Sequence, residues 1–194
     1  MKKPFIIHDA LDTTKGGEFD QVWEELNPEI SPWTLSNYSA RGENMNVMWI
    51  KNDYCSLPLL RAGSTIRLKM ERVMRQRLTL VRIHTNGQTK GQVSEFHTDY
   101  EDHDTFYTAV HFARPDWNAQ WSGVFTVFDG EEYHTYPYIP NRTVVVSSSW
   151  DHYGDHPNSF TGKMRVTAGF MYCLNSRLDA MCKKYPLELV NPHL

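Results

Sequence analysis

The stretch EFHTDYEDHD, residues 95–104, places two histidines and three aspartates among ten residues. Side chains two positions apart leave the same face of a β-strand, so a strand here would present His97 and Asp99 together and turn Thr98 away. An imidazole beside a carboxylate suits a divalent first-row metal ion. Two ligands bind such an ion weakly, and the pattern therefore predicts a third ligand from elsewhere in the chain.

The third ligand has several histidine candidates. They are His103, His111, His134, His152 and His156. His103 belongs to the same acidic run, where a third ligand would leave much of the metal uncovered, and we interpret the next two histidines as surface or hydrogen-bonded residues. The run RTVVVSSSWDHYGDHP, residues 142–157, is typical of a strand that ends at His152, with Gly154 favouring a turn just after it. We therefore predict His152 as the third ligand, with His156 as the alternative.

A cation follows on the next predicted strand. In KMRVTAGF, residues 163–170, Arg165 and Thr167 share one face by the same period of two. A buried arginine needs an anion, and its planar fork fits a carboxylate through two parallel hydrogen bonds. The alternative is a structural ion pair with an acid of the EDHD run.

The ordered set His97, Asp99, His152 and Arg165 on consecutive predicted strands resembles the iron(II) and 2-oxoglutarate dependent dioxygenases, specifically the prolyl hydroxylase branch. The resemblance spans about residues 81–172, nearly half the chain. The piece HTDYEDHDTFYTAVHFARPDWNAQWSGVFTVF is similar to the stretch that follows the iron motif in the oxygen-sensing prolyl hydroxylases. VRIHTNGQT is similar to the strand and turn that precede it.

The resemblance implies a mainly β protein with flanking α-helices, folded as a double-stranded β-helix or jelly roll. It implies that His97, Asp99 and His152 are the catalytic residues and bind iron(II), which also takes the keto-acid end of 2-oxoglutarate and O2. The far carboxylate of 2-oxoglutarate would bind Arg165. The implied reaction releases succinate and CO2 as a substrate is hydroxylated, with ascorbate as a reductant.

The residue that helps Arg165 is left open. In the oxygen-sensing relatives, a tyrosine on the strand after the iron motif helps to hold the far carboxylate, and the matching residue here is Phe112, which has no hydroxyl. Thr108 and Thr167 are the cofactor-binding candidates that could supply one. On the strand before Asn86, Arg82 and His84 alternate and point either into the same pocket or towards surface acids.

Helices are predicted only before and around the start of the strand-rich region. Phe19, Val22, Trp23 and Leu26 recur at three and four, which predicts a short helix over residues 16–26 outside the main sheet. A second helix is predicted from Ser64 as N-cap. Its apolar stripe is Ile66, Met70, Val73, Met74 and Leu78.

Strands crowd into the rest of the chain. After a strand at Asn46–Ile50, the runs are LTLVRIH, QVSEFHTD, FYTAVHF, GVFTVF, RTVVVSSS and RVTAGFMY, with a turn predicted at Asn86 and Gly87. Short strands without intervening helices favour an antiparallel sandwich or jelly roll. If the fifth run stays regular as far as His152, then Val144 and Val146 share the face of this histidine and wall the pocket.

Composition limits the remaining possibilities. The 194 residues carry a net charge of −3 with a pI near 6.3, so no overall basic field argues for nucleic acid or an anionic membrane surface. Three cysteines without CxxC spacing favour reduced thiols, and we expect a cytoplasmic protein. We expect a single domain over residues 1–194, with N-terminal helical support over about 1–80 and a jelly-roll core over about 78–175.

Three function classes follow. The first is a dioxygenase that hydroxylates a prolyl residue in a peptide or protein. The second is the same chemistry on a free amino acid or another small molecule, and the third is a non-catalytic jelly-roll module or a metal protein that does not use 2-oxoglutarate. Arg165 argues against the third class, because a metal site without a keto-acid does not need a buried cation one strand away.

Overall fold

The secondary structure comes from a computed structural model, which describes residues 3–38, 46–51, 56–92, 94–101 and 105–184. Along the chain the elements are β1 Phe5–Ile7, α1 Glu18–Leu26, β2 Thr34–Tyr38, β3 Asn46–Ile50, α2 Leu57–Met74, β4 Leu78–Gln88, β5 Phe106–Phe112, a 3-10 turn Ala119–Trp121, β6 Phe125–Phe128, β7 Tyr133–Tyr136, β8 Thr143–Ser147, β9 Asp151–Gly154, β10 Arg165–Leu174 and α3 Asn175–Lys184. Within these residues, no helix is long and apolar enough to cross a membrane.

The strands form two antiparallel sheets. The major sheet has seven strands in the order β1-β8-β5-β10-β4-β3-β2, and the minor sheet has three in the order β7-β6-β9. Apolar side chains of both sheets meet in one buried cluster that includes Val110 and Val144 of the major sheet and Phe125 and Val127 of the minor sheet. Two facing antiparallel sheets with flanking helices confirm the predicted jelly roll.

The major sheet separates two environments. On β10, Val166, Ala168 and Phe170 belong to a cluster shared with buried residues of α1 and α2, whereas Arg165 and Thr167 line a pocket on the opposite face. This division follows from the alternation of side chains along a strand. The helices therefore support the back of the sheet while the minor sheet covers its front.

The second helix begins earlier than predicted. Its N-cap is Ser56, whose hydroxyl accepts a hydrogen bond from the backbone N–H of Leu59 at 3.4 Å, and Pro58 lies in the first turn, where a missing N–H costs nothing. The predicted cap, Ser64, lies inside the helix. Val73, predicted on the apolar face, is 61% exposed. The packed face is formed by Leu59, Ala62, Gly63, Ile66 and Met70.

The turn predicted at Asn86 and Gly87 is wrong. β4 continues through both residues, and Gly87 pairs with Val166 on one side and Trp49 on the other. A Cβ at Gly87 would lie 2.4 Å from Sδ of Met164, so the glycine serves close packing instead of a reversal of the chain.

The strands that carry the predicted ligands are shorter than expected. QVSEFHTD forms no regular strand in its described residues; His97 only makes an isolated bridge to His152. The run that leads to His152 breaks after Ser147, and the chain passes from β8 in the major sheet to β9 in the minor sheet. Val144 therefore does not share a strand face with His152, and neither Val144 nor Val146 lines the pocket.

The N-terminal 80 residues are also less helical than expected. Besides α1 and α2, they supply β1, β2 and β3 to the major sheet, and β1 pairs with β8 through Phe5 and Val145. Helix α1 agrees with the prediction, with Phe19, Val22 and Leu26 buried.

Candidate active site

His97, Asp99 and His152 come together in the structure. One potential ligand atom from each residue lies within 4.8 Å of the other two. The backbone positions the histidines side by side, because the N–H of each donates to the carbonyl of the other, at 3.0 and 2.9 Å. His97, in a loop, and His152, on β9, are thereby joined by an isolated antiparallel β-bridge.

Both imidazoles are oriented by backbone carbonyls. Nδ1 of His97 donates to the carbonyl of Glu95, and Nδ1 of His152 donates to that of Trp150, each at 2.8 Å. A carbonyl can only accept, so Nδ1 carries a proton in each ring and Nε2 is the nitrogen left to face a metal ion. Burial lowers the pKa of His152, which keeps this ring neutral. An imidazole oriented through Nδ1 in this way is typical of a histidine that binds a metal ion through Nε2.

Asp99 is ionised and held in place by Thr108. The hydroxyl of Thr108 donates to Oδ2 of Asp99 at 2.6 Å, and Oδ2 lies 3.5 Å from Nε2 of His152. Burial would raise the pKa of Asp99, but the neighbouring His152, His84 and His97 and the bond from Thr108 bring it below its usual value. The resulting set of two imidazoles and one carboxylate is of the type that binds iron(II) in non-haem oxygenases.

Thr108, one of the two candidates for helping to bind the far carboxylate, makes its side-chain hydrogen bonds to Asp99 and Ser148. Its single proton is directed to Asp99, and its oxygen lies 2.9 Å from Oγ of Ser148, which therefore donates to it. The backbone carbonyl of Ser148 also accepts from the N–H groups of Asp99 and Tyr100. Ser148 and Thr108 thus hold the loop that carries His97 and Asp99.

Arg165 lies at the start of β10 with a side chain that is 2% exposed. Its Nε donates to the carbonyl of Gly123 at 2.8 Å, and Nη1 donates to Oε1 of Gln88 at 3.0 Å. Nη2 is buried and has no hydrogen-bond partner among the described residues, and no described carboxylate lies within ion-pair distance of the guanidinium. Burial lowers the pKa of Arg165 to about 10, so the group stays protonated at neutral pH.

Two glycines make room for this guanidinium. A Cβ at Gly154 would lie 2.9 Å from Nη1 of Arg165, and one at Gly123 would lie 3.1 Å from its Cδ. Gly123 also has a φ of +77°, which favours glycine. Gly154 lies within β9, paired with Phe125, so it does not form the turn predicted for it. The absence of both side chains leaves Arg165 a slot beside the pocket.

Aromatic rings close the other side of Arg165. Its Cζ lies 5.9 Å from the ring of Phe112 and 5.6 Å from that of Tyr138, and these two rings stack at 4.6 Å. The Tyr138 hydroxyl is already engaged, since it donates to the carbonyl of Val166 at 2.5 Å and accepts from the N–H of Arg114 at 2.7 Å. The hydroxyl of Thr167, two residues after Arg165, lies in the pocket lining and makes only a long contact of 3.5 Å with the carbonyl of Asn86.

One pocket connects the cluster of His97, Asp99 and His152 with Arg165. Its lining comprises His84, Asn86, Gln88, Ser94, His97, Asp99, Thr108, Val110, Phe125, His152, Gly154, Arg165, Thr167 and Gly169. Polar groups line the major-sheet floor, while Phe125 and Val110 contribute apolar surface. A cavity in which polar groups from several strands converge beside apolar surface is typical of a small-molecule site.

The other histidine candidates lie elsewhere. His156 follows β9, where its Nδ1 donates to the carbonyl of Pro157, and it is not part of the three-ligand cluster. His134 pairs with Asp129 at 2.7 Å. His111 is buried and hydrogen-bonded through Nδ1 to Thr143, the second of the two expected environments, and its Nε2 has no partner among the described residues. His103 lies outside the described residues.

The groups that orient Arg165 were not predicted from the sequence. Gln88 holds the guanidinium and also donates to the carbonyl of Gly154 at 2.9 Å. Its alternation with His84 and Asn86 was a signal, but the turn assigned to Asn86 and Gly87 obscured it. Tyr138 gave no signal, because it lies in an irregular segment remote from Arg165 in sequence.

No protein-family model and no curated protein matches this sequence. Solved structures do resemble it. A prolyl hydroxylase from Trichoplax adhaerens, in complex with a peptide fragment of the hypoxia inducible factor oxygen degradation domain, aligns with a TM-score of 0.65 at 15% identity over 93% of this chain and 87% of that one. An oxidoreductase of the 2OG-Fe(II) oxygenase family from Burkholderia pseudomallei aligns at 0.64 and 12% over 88% and 84%.

A third similar structure binds a different kind of molecule. HygX from Streptomyces hygroscopicus, with nickel, 2-oxoglutarate and hygromycin B bound, aligns with a TM-score of 0.60 at 11% identity over 89% of this chain and 83% of that one. At these identities the likeness concerns the fold. This chain has the jelly-roll fold of the 2OG-Fe(II) oxygenases, prolyl hydroxylases among them.

Proposed function

We propose that this chain is an iron(II)- and 2-oxoglutarate-dependent hydroxylase, with His97, Asp99 and His152 as its metal ligands. The observation that carries the proposal is Nη2 of Arg165, a buried cationic donor that lies in the same pocket as the three-ligand cluster and has no hydrogen-bond partner in the described part of the chain. A buried charge without a partner is costly, and a ligand carboxylate would satisfy it. A dicarboxylate with a metal-chelating keto-acid at its other end matches both ends of the pocket.

When bound, iron(II) with 2-oxoglutarate and O2 would supply oxidative decarboxylation to succinate and CO2 and hydroxylation of a C–H bond. The chain's own contribution is orientation. The carbonyls of Glu95 and Trp150 fix the two imidazoles, and Thr108 fixes the carboxylate of Asp99. Arg165, held by Gln88 and Gly123, would anchor the far carboxylate so that the keto-acid meets the metal in one pose.

The proposed substrate is a prolyl residue in a peptide or protein. Support comes from the similarity of residues 97–128 to the segment after the iron motif of the oxygen-sensing prolyl hydroxylases, and from the fold shared with a prolyl hydroxylase solved with a peptide. The fold shared with HygX, solved with hygromycin B, makes small molecules the alternative to be tested.

The first experiment tests the cofactors. Anaerobic addition of iron(II) and 2-oxoglutarate to the protein should give the weak visible charge-transfer band of a chelated keto-acid, and Asp99→Ala should abolish it. Arg165→Ala should weaken 2-oxoglutarate binding but leave iron(II) affinity nearly intact. Tight zinc binding, with neither the band nor succinate formation in the presence of iron(II), would refute the proposal.

The second experiment tests the substrate. Proline-containing peptides and free amino acids are incubated separately with iron(II), 2-oxoglutarate and ascorbate, and mass spectrometry detects the gain of one oxygen. Oxidation of peptides supports the proposed substrate class. Turnover of free amino acids with no peptide oxidised would reassign the enzyme to small molecules.

A further inference from the structure

The imidazole of His84 occupies a place on the pocket floor that only glycine leaves open. His84 on β4 pairs with Gly169 on β10, and both line the pocket. A Cβ at residue 169 would lie 2.1 Å from Nε2 of His84 and 2.2 Å from its Cε1. The ring therefore lies directly over Gly169, and any other residue there would displace it.

The hydrogen bonding of His84 is incomplete. Nδ1 is buried and has no partner among the described residues, although the residue as a whole keeps some exposure. An imidazole carries at least one N–H, on Nδ1 or on Nε2. An unpaired buried N–H is rarer in proteins than an unpaired acceptor. The favoured tautomer therefore leaves the lone pair on Nδ1 and puts the proton on Nε2, the nitrogen above Gly169.

The position of this donor relates it to the metal end of the pocket. Gly169 pairs with Val110 on β5, and Thr108, whose hydroxyl binds Asp99, lies two residues before Val110 on the same strand. Arg165 begins β10 four residues before Gly169, which is roughly 13 Å of extended chain. His84 and Arg165 thus lie towards opposite ends of the β10 floor.

On the basis of the proposed function, we infer that Nε2–H of His84 donates a hydrogen bond to the keto-acid end of 2-oxoglutarate, while Arg165 binds the far carboxylate. A keto-acid offers a carboxylate and a keto oxygen, both acceptors, at the end next to the metal. A neutral donor there adds orientation without placing another cation beside a divalent ion. His84 would be a further co-substrate-binding residue.

Two keto-acids separate the two ends. 2-Oxoglutarate carries both groups, whereas pyruvate carries the keto-acid and lacks the far carboxylate. Their dissociation constants are measured anaerobically by calorimetry on the iron(II)-loaded protein. His84→Leu should raise the dissociation constants of both keto-acids by about 10- to 100-fold, the effect of one lost hydrogen bond to a charged group. His84→Gln, which keeps an N–H at similar reach, should recover most of the loss, and Arg165→Ala should weaken 2-oxoglutarate alone.

Gly169→Ala provides an independent variant. It keeps the imidazole but displaces it, so it should reproduce the effect of His84→Leu on pyruvate. Circular dichroism and iron(II) affinity, both expected to match wild type, report whether each variant keeps its fold and its metal site.

Three outcomes overturn the inference. They are unchanged binding in His84→Leu, weakened 2-oxoglutarate with unchanged pyruvate, and an equal loss of iron(II) affinity, which would indicate a structural role for the ring. A wild-type protein that binds iron(II) but neither keto-acid would instead refute the proposed function itself.

Discussion

Gly154→Ala is expected to disable the proposed co-substrate site without touching the proposed metal ligands. The new Cβ would lie 2.9, 3.0 and 3.1 Å from Nη1, Nη2 and Cζ of Arg165. A guanidinium at the end of a flexible side chain can move, so the fold survives. Movement, however, breaks the bonds to Gly123 and Gln88 and withdraws the donor from the pocket.

The magnitude follows from the bond that the ligand loses. A hydrogen bond between charged groups contributes about 1.5–3 kcal/mol, which corresponds to a roughly 10- to 150-fold higher Kd for 2-oxoglutarate. The assay is anaerobic titration of the iron(II)-loaded protein with 2-oxoglutarate, with iron(II) affinity measured in parallel. Only the first constant should change.

Gly162→Ala is the matched control. A Cβ there meets nothing within 4 Å, and the residue is not among the glycines with positive φ. Both variants add one methyl group to a glycine that precedes β10 in the sequence. If Gly154→Ala binds 2-oxoglutarate as tightly as Gly162→Ala does, then the slot beside Arg165 is not the carboxylate site and the reasoning fails.

Further predictions concern the ligands and the acid stability. His152→Ala should eliminate iron(II) binding, whereas His156→Ala should retain the charge-transfer band; the reverse would move the third ligand by four residues. Thr108→Val, which keeps the shape but frees the carboxylate of Asp99, should lower iron(II) affinity about 10-fold, as measured by competition with a chelator; unchanged affinity would show that the bond does not matter. The pKa of Asp129 falls from 3.8 to about 2 because its carboxylate accepts hydrogen bonds from the backbone N–H of Glu132, from the side chain of His134 and from the backbone N–H of Glu131. A carboxyl group whose pKa is lower in the folded state than in the unfolded state stabilises the fold at pH values above its unfolded pKa. Wild type should therefore have a larger free energy of unfolding than Asp129→Asn, by an amount that is constant above pH 3.8 and disappears as the pH falls through about 2. Urea unfolding at a series of pH values measures it, and a difference independent of pH would contradict this account.

Period-two reasoning worked where a strand is regular. On β10 it correctly placed Arg165 and Thr167 on one face, because that strand is paired on both sides along most of its length. It also brought His97 and Asp99 to one pocket, although their segment is held by a single bridge to His152.

Long-range packing explains what the sequence did not reveal. Gly87 looks like a turn residue, yet it is required because Met164 and two tryptophans press against its Cα, and those neighbours are far away in sequence. The break between β8 and β9 is equally hidden, since the serines at residues 147–149 are also compatible with the polar end of one continuous strand, and only the second sheet redirects the chain. Gly154 leaves space for the guanidinium of Arg165, and Gln88 accepts a hydrogen bond from it. Local sequence patterns do not identify Arg165 as the partner of either residue.

Alternate residues of strand β10 face the hydrophobic core and the pocket. Val166, Ala168 and Phe170 have no exposed surface and pack with the helices, whereas Arg165 and Gly169 face the pocket. Substitutions in one set can accumulate during evolution with little effect on the other, because a sheet separates them. The pocket side of this strand can therefore be varied to accept a different ligand while its core residues are left untouched.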